Sequence, residues 1–225
     1  MLQLLVFDLD GTLVDSRTDI ANAANAMLES FGGARIADEA IVGMVGEGSA
    51  LLVRRALAAA RLDPETPGAL EVFLRFYERG LLEHTVPYDG MMETLARLEG
   101  RVAMAVLTNK PQRATDGVLD GLGLRRFFRE VIGGDTDYGR KPAPAGLLEL
   151  IRRASARVDS TLLVGDSRVD LDTARRGGVR VCLARYGFGF RFDKGDFDGS
   201  ELFVDRPGDL LVLTEEGKQG RISLI

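Results

Sequence analysis

The 225-residue chain contains no tryptophan, one cysteine and one histidine, and aromatic residues make up only 7% of it. A single cysteine excludes an internal disulfide. Cys182 lies within the apolar run VRVCLA at 179–184 and reads as a small buried hydrophobe rather than a redox group. No apolar run approaches the roughly 20 residues that a membrane-spanning helix needs. The opening MLQLLVFDLD has no basic segment and runs directly into acids, so it does not read as a secretion signal, and a cytoplasmic location is expected. Basic charge is also in deficit, with 29 Lys and Arg against 34 Asp and Glu, a net charge of -5. That balance argues against a nucleic-acid partner, whose affinity rests on clustered cations meeting phosphates. A small anion stays open as a ligand, because a site responds to charges within about 8 Å at physiological salt rather than to the total. Internal repeats and low-complexity tracts are absent from the pattern.

What is present is a hydrophobic content of 45%, enough for a substantial core, or a core plus a smaller module. The first strong pattern is LQLLVFDLD at 2–10, an apolar run that ends in acids and Gly11 and reads as a buried strand meeting a loop. Comparable runs follow at 102–109, 129–135, 161–166 and 179–184, with helical spacing between them over 112–122, 143–154 and 169–176. This alternation predicts an α/β fold, a doubly wound, Rossmann-like parallel sheet with helical crossovers. The interval between the first and second strands breaks the rhythm, because a crossover needs little more than a dozen residues and this one takes about ninety. Within it, Ile20, Ala23, Ala24, Met27, Leu28 and Phe31 follow helical spacing up to a stop at Gly32 and Gly33. Helical patterns recur over 50–61 and 70–82, the second after a Pro- and Gly-bearing break at 64–68. The expected organisation is therefore an α/β core at 1–14 and 86–225, and an all-helical cap at 15–85 inserted after the first strand, with hinges near Asp15 and Pro87.

Ligands of open α/β sheets gather at the carboxyl ends of the strands, and four such ends here carry polar residues. The first holds Asp8 and Asp10, which alternation along a strand can point into one site, followed by Gly11 for a sharp turn. The second reads Thr108-Asn109-Lys110 and offers a hydroxyl and an amide as donors to phosphoryl oxygens. Lys141 follows the third strand, between Arg140 and Pro142, and the fourth ends at Gly165-Asp166-Ser167 with Asp170 one helical turn on. Any one of these is an ordinary loop residue, but carboxylates, hydroxyl, lysine and carboxylate on four successive strands compose a site for metal plus phosphate.

These residues resemble the haloacid dehalogenase-like phosphatases, through DLDGT at 8–12, TN at 108–109, KP at 141–142 and GDSRVD at 165–170. Within that family the chain is most similar to bacterial phosphoglycolate phosphatases, through FDLDGTLVDS at 7–16, VGEGSALLVRRAL at 45–57, LTNKP at 107–111 and VIGGD at 131–135. The resemblance implies that Asp8 is the nucleophile and Asp10 the general acid and base. It implies Mg²⁺ held by the Asp8 carboxylate, the Asp10 backbone carbonyl and Asp166, with Asp170 behind them or bound through water. Lys141 would balance the gathered charge, and Thr108 and Asn109 would hold the phosphoryl oxygens. An acid at Asp10 also favours phosphate over halide as the leaving chemistry.

Selectivity is expected from the insertion, where Gly46, Glu47, Gly48 and Arg55 are candidates. Arg55 either clamps a substrate carboxylate or, with Arg54, decorates a solvent face. His84 reads as a surface residue near a hinge. The expected reaction is hydrolysis of 2-phosphoglycolate by a monomer or homodimer, with another small phosphorylated metabolite or pyrophosphate, or a sugar phosphomutase of the same fold, as alternatives. A phospho-receiver domain uses a similar constellation but lacks the long insertion and Asp10. The segment at 186–207 is expected to be a solvated loop with a last strand, and its Asp193, Asp196 and Asp198 lack the following acidic ligand that a calcium loop needs. The tail EEGKQGRISLI at 215–225 reads either as an oligomer contact or as a frayed end.

Overall fold

Every residue of the leading apolar run is excluded from solvent in β1 (Leu4–Phe7). The structure, a computed structural model, describes residues 2–215, and the tail beyond Glu215 lies outside the described residues. After β1 come β2 (Val14–Asp15) and four helices, α1 (Arg17–Ser30), α2 (Asp38–Val42), α3 (Ser49–Ala59) and α4 (Ala69–Arg79). The chain returns through β3 (Val86–Pro87) and α5 (Met91–Leu98) to β4 (Ala103–Leu107), then α6 (Gln112–Gly121) and β5 (Glu130–Ile132). It continues with α7 (Ala145–Arg153), β6 (Thr161–Gly165), α8 (Arg168–Gly177), β7 (Arg180–Ala184), β8 (Leu202–Val204) and α9 (Leu210–Glu215).

Six strands form one sheet in the order β5-β4-β1-β6-β7-β8, each pair parallel. The expected doubly wound α/β fold is what the chain adopts. Alternation along β1 divides its side chains between two layers. Leu5 and Phe7 join the cluster that includes Met91 and Leu95 of α5, and Leu4 and Val6 join the one that includes Leu147 of α7 and Leu171 of α8. Phe7 stands opposite Val106 of β4 and Val164 of β6, so Asp8, Thr108 and Asp166 leave the sheet at one edge.

Helices α1, α3, α4, α6, α7 and α8 lie where helical spacing predicts them; α2, α5 and α9 are not anticipated by it. The helices of the long interval carry a hydrophobic cluster of their own, with Ile20, Met27, Ile41, Leu57, Phe73 and Tyr77 buried in it. Both chain crossings to this cluster are tied. Strands β2 and β3 pair antiparallel, Val14 opposite Pro87 and Asp15 opposite Val86. Next to them the buried Asp19 carboxylate accepts hydrogen bonds from the Thr85 N–H (2.8 Å), the Thr85 hydroxyl (2.7 Å) and the His84 N–H (3.0 Å), and lies 2.9 Å from His84 Nδ1. Burial works to raise the Asp19 pKa, but these donors outweigh it and hold the carboxyl below its ordinary value.

The expected solvated loop at 186–207 is instead packed down. Phe190, Phe192, Phe197 and Phe203 form a ladder with successive ring centroids 5.1, 5.2 and 5.1 Å apart, seated against the sheet. Asp196 and Asp198 pair with Arg168 and Arg175, so these two acids of the segment have arginine partners. Among the described residues no helix is long and apolar enough to cross a membrane.

Candidate active site

Asp8 follows β1, its N–H still donating to the Val164 carbonyl (2.9 Å) while its side-chain oxygen accepts from the Leu9 N–H (2.7 Å). The next turn depends on Gly11, which has φ +84°; a Cβ there would lie 2.0 Å from Asp166 Oδ2. The missing side chain thus lets the first turn close over the acid from β6. Asp170 is placed by α8, where it caps the helix through the Ser167 N–H (3.0 Å) and hydroxyl (2.6 Å) and uses its other oxygen to hold Lys141 Nζ at 2.6 Å. Lys141 also lies 3.0 Å from Asp8 Oδ1. The buried carboxylates of Asp8, Asp166 and Asp170 each offer an oxygen within 4.8 Å of the others. Asp10 turns elsewhere: its Oδ1 accepts from the Ser16 hydroxyl (2.6 Å) and from Lys110 Nζ (2.7 Å).

The electrostatics are those of crowded acids. Burial, reinforced by Asp170 and Asp10 and opposed by Lys141, raises the Asp8 pKa to about 7. Burial and the neighbouring Asp170 and Asp8 push Asp166 well above the carboxylate range. Burial disfavours the charges of Lys141 and Lys110, yet their acidic partners prevail and hold both pKa values above the ordinary lysine value. Among the described residues, Asp8, Asp10, Asp166 and Asp170 face these two ammonium groups and no other. The surplus of negative charge and the set of hard carboxylate oxygens fit a hard divalent cation.

The other expected residues fall on both sides of the mark. Thr108 lines the cleft above Asp8. Asn109 does too, but both its Nδ2 hydrogens are committed, one to the Gly46 carbonyl and one to the Lys141 carbonyl, each at 2.9 Å. In the structure this amide ties the turn at Gly46 to the lysine loop, and its Oδ1 has no partner. Gly46 lines the cleft and is joined to the sheet edge by that bond. Of the two readings of Arg55, the structure shows the solvent-facing one. It is half-exposed, pairs with Glu47 at 2.6 Å and does not line the cleft.

A family model described as haloacid dehalogenase-like hydrolase matches residues 5–184. The chain belongs to that family. A protein named phosphoglycolate phosphatase 1 from Pseudomonas aeruginosa strain PAO1 is 38% identical over 223 residues, which span 96% of this chain and 81% of that one. A phosphoglycolate phosphatase from Pseudomonas syringae pv. syringae strain B728a is 42% identical over 192 residues, 83% of this chain and 70% of that one. Among solved structures, a predicted phosphoglycolate phosphatase from Haemophilus somnus 129pt superposes with a TM-score of 0.86 at 28% identity, covering 95% of this chain and 98% of that chain. This haloacid dehalogenase-like hydrolase is an enzyme of the phosphatase kind.

Several groups of the site in this hydrolase escape sequence reasoning. Lys110, buried at the cleft wall, hydrogen-bonds Tyr77 of α4 as well as Asp10, with Nζ 4.5 Å from the Tyr77 ring centroid. Burial raises the Tyr77 pKa to about 12. After β7, the run YGFGF crosses the mouth of the site. Tyr186 donates to the Thr12 carbonyl (3.0 Å), the Gly189 N–H donates to Asp166 Oδ2 (2.7 Å), and Phe188 lines the cleft. Gly187 is required here, since a Cβ would meet Asp166 Cβ at 2.3 Å and the Gly11 carbonyl at 2.4 Å. The glycine spacing around Phe188 was the available signal.

Proposed function

We propose that the chain hydrolyses 2-phosphoglycolate to glycolate and phosphate, with Mg²⁺, in the cytoplasm. The observation that carries the reaction type is the separation of two acids at one strand end. Asp8 lies against Lys141 among the metal-type carboxylates, and Asp10, two residues on, is held apart by Ser16 and Lys110. One carboxylate is placed to attack and the other to move a proton. The naming of the similar proteins supports the choice of substrate.

In this reading an Asp8 oxygen forms a bond to phosphorus as the ester P–O bond breaks, and Asp10 delivers its proton to the departing oxygen. A water then attacks the aspartyl phosphate, its proton passes to Asp10, and Asp8 and phosphate are regenerated. Lys141 keeps the Asp8 carboxylate oriented and offsets charge on the phosphoryl group, and Thr108 supplies a hydroxyl to it. Mg²⁺, held by Asp8, Asp166 and the Asp10 carbonyl, would supply charge neutralisation at the phosphoryl oxygens when bound. The helices at 15–85 act as a cap, and Phe188 excludes water from the cleft.

A phosphate-release screen over small organic phosphates and pyrophosphate, with Mg²⁺ present, tests the substrate. The expected result is a kcat/KM for 2-phosphoglycolate above all others. Equal rates on generic monoesters would remove the substrate while leaving the reaction class, and conversion of a hexose 1-phosphate without phosphate release would point to a mutase.

A further inference from the structure

Among the described residues, the cleft between the sheet edge and the insertion contains one cationic side chain in its wall, that of Lys110; the insertion contributes apolar groups there, among them Ile20, Val45, Leu52 and Phe73. An ammonium has three donors, and Lys110 spends one on Asp10 and one on Tyr77. Its place relative to the chemistry is specific. Asp10 is the group assigned to protonate the departing oxygen, and Lys110 Nζ sits 2.7 Å from it. In a two-carbon phosphate acid the carboxylate is only one methylene beyond that oxygen, so it emerges beside Asp10. Arg55, the other cation considered for this task, is turned outward onto Glu47.

We propose that Lys110 is the residue that reads the substrate carboxylate, with its third donor, and so sets the preference for a short phosphorylated carboxylic acid over an uncharged phosphate ester. Tyr77 holds the ammonium in place from the insertion side. A carboxylate brought into a cleft walled by Ile20, Leu52 and Phe73 loses its water, and only a charge-assisted hydrogen bond replaces it. An ester lacking the carboxylate makes no such bond, and the apolar wall alone distinguishes it weakly.

The inference rests on the proposed substrate class, and the test separates the two. Steady-state kinetics on 2-phosphoglycolate and on ethyl phosphate, which keeps the two-carbon skeleton but lacks the carboxylate, are compared for the wild type, Lys110→Met and Arg55→Ala. Because Lys110 also touches Asp10, both substrates are expected to slow in Lys110→Met, and the ratio of their kcat/KM values isolates the carboxylate contact. That ratio should fall by about tenfold or more, mostly through KM for 2-phosphoglycolate, and should be unchanged in Arg55→Ala. A uniform loss on both substrates in Lys110→Met would make Lys110 a positioning residue for Asp10 only and overturn the proposal, as would loss of the preference in Arg55→Ala. A wild type with no preference for 2-phosphoglycolate would instead overturn the substrate reading itself. Thermal melts accompany each variant, and Lys110→Gln replaces Lys110→Met if the latter does not fold.

Discussion

Across the cleft, the sheet edge presents Asp8, Asp10, Asp166 and Lys110, whereas the insertion presents Ile20, Val45, Leu52 and Phe73. The polar side is built from strand ends whose register is set by pairing along the whole sheet, so its groups are placed by many residues remote from the site. The apolar side comes from helices with a cluster of their own, reaching the sheet edge through few polar contacts, of which Asn109 to Gly46 and Lys110 to Tyr77 are two. Charge chemistry demands placement within fractions of an ångström, and a rigid sheet provides it. Selection by shape tolerates a more loosely joined wall.

The sharpest way to break this contrast is to alter the polar side by a single atom. Asp8→Asn should lower kcat by roughly 10⁴-fold or more with the melting temperature shifted by only a few degrees, because the fold does not depend on that carboxylate but the reaction does. Substantial turnover in this variant would end the covalent reading. Gly187→Ala tests whether the loop after β7 belongs to the rigid side. The added Cβ forces the loop off Asp166, and a loss of roughly 10- to 100-fold in kcat/KM is expected, with about 1–3 kcal/mol of stability. Retained kinetics would show that the loop yields without disturbing the acid.

Asp19→Ala probes the join between the two sides, and should cost about 2–3 kcal/mol in denaturant unfolding by stranding the donors of His84 and Thr85. The sign of its pH dependence follows from the lowered pKa. A carboxyl whose folded pKa lies below its unfolded value, about 3.9, contributes stability that is fully present above that value and is lost as pH falls through the folded pKa. The wild-type advantage over Asp19→Asn should therefore shrink only below about pH 4; an advantage that instead faded near neutrality would count against the Asp19 carboxylate as its source. The smallest effect is expected at the outer face of the insertion, where Arg55→Ala should leave kcat/KM for 2-phosphoglycolate within about threefold of wild type, since an exposed ion pair contributes little.

The fold is legible in the chain because its strands are short apolar runs, most of them ending in polar residues, each a local signal. Asp8, Thr108 and Asp166 are legible because a residue just past a strand end emerges at the sheet edge, whereas Lys141 and Asp170, farther on in a loop and a helix, are marked by the KP and GDSRVD motifs. Asn109 satisfied that rule and still pointed elsewhere, because carbonyls of Gly46 and Lys141, distant in sequence, capture its amide. Lys110 was passed over because what gives it meaning is Tyr77, 33 residues away on a helix whose facing direction no local pattern reveals. Arg55, open between a clamp and a solvent face, is decided by the same kind of partner: Glu47, eight residues back, draws it outward. Met91, Leu95 and Leu98 of α5 do carry helical spacing, over a stretch short enough to pass for a loop.

The paired crossing strands, with Asp19 gripping the return chain, bear on how a substrate gets in. Two separate flexible tethers would let the helical part swing and tumble about many directions. A two-stranded ribbon clamped by four donor contacts joins the two crossings into one connection, and any turning of the helical part against the sheet would be about that single axle.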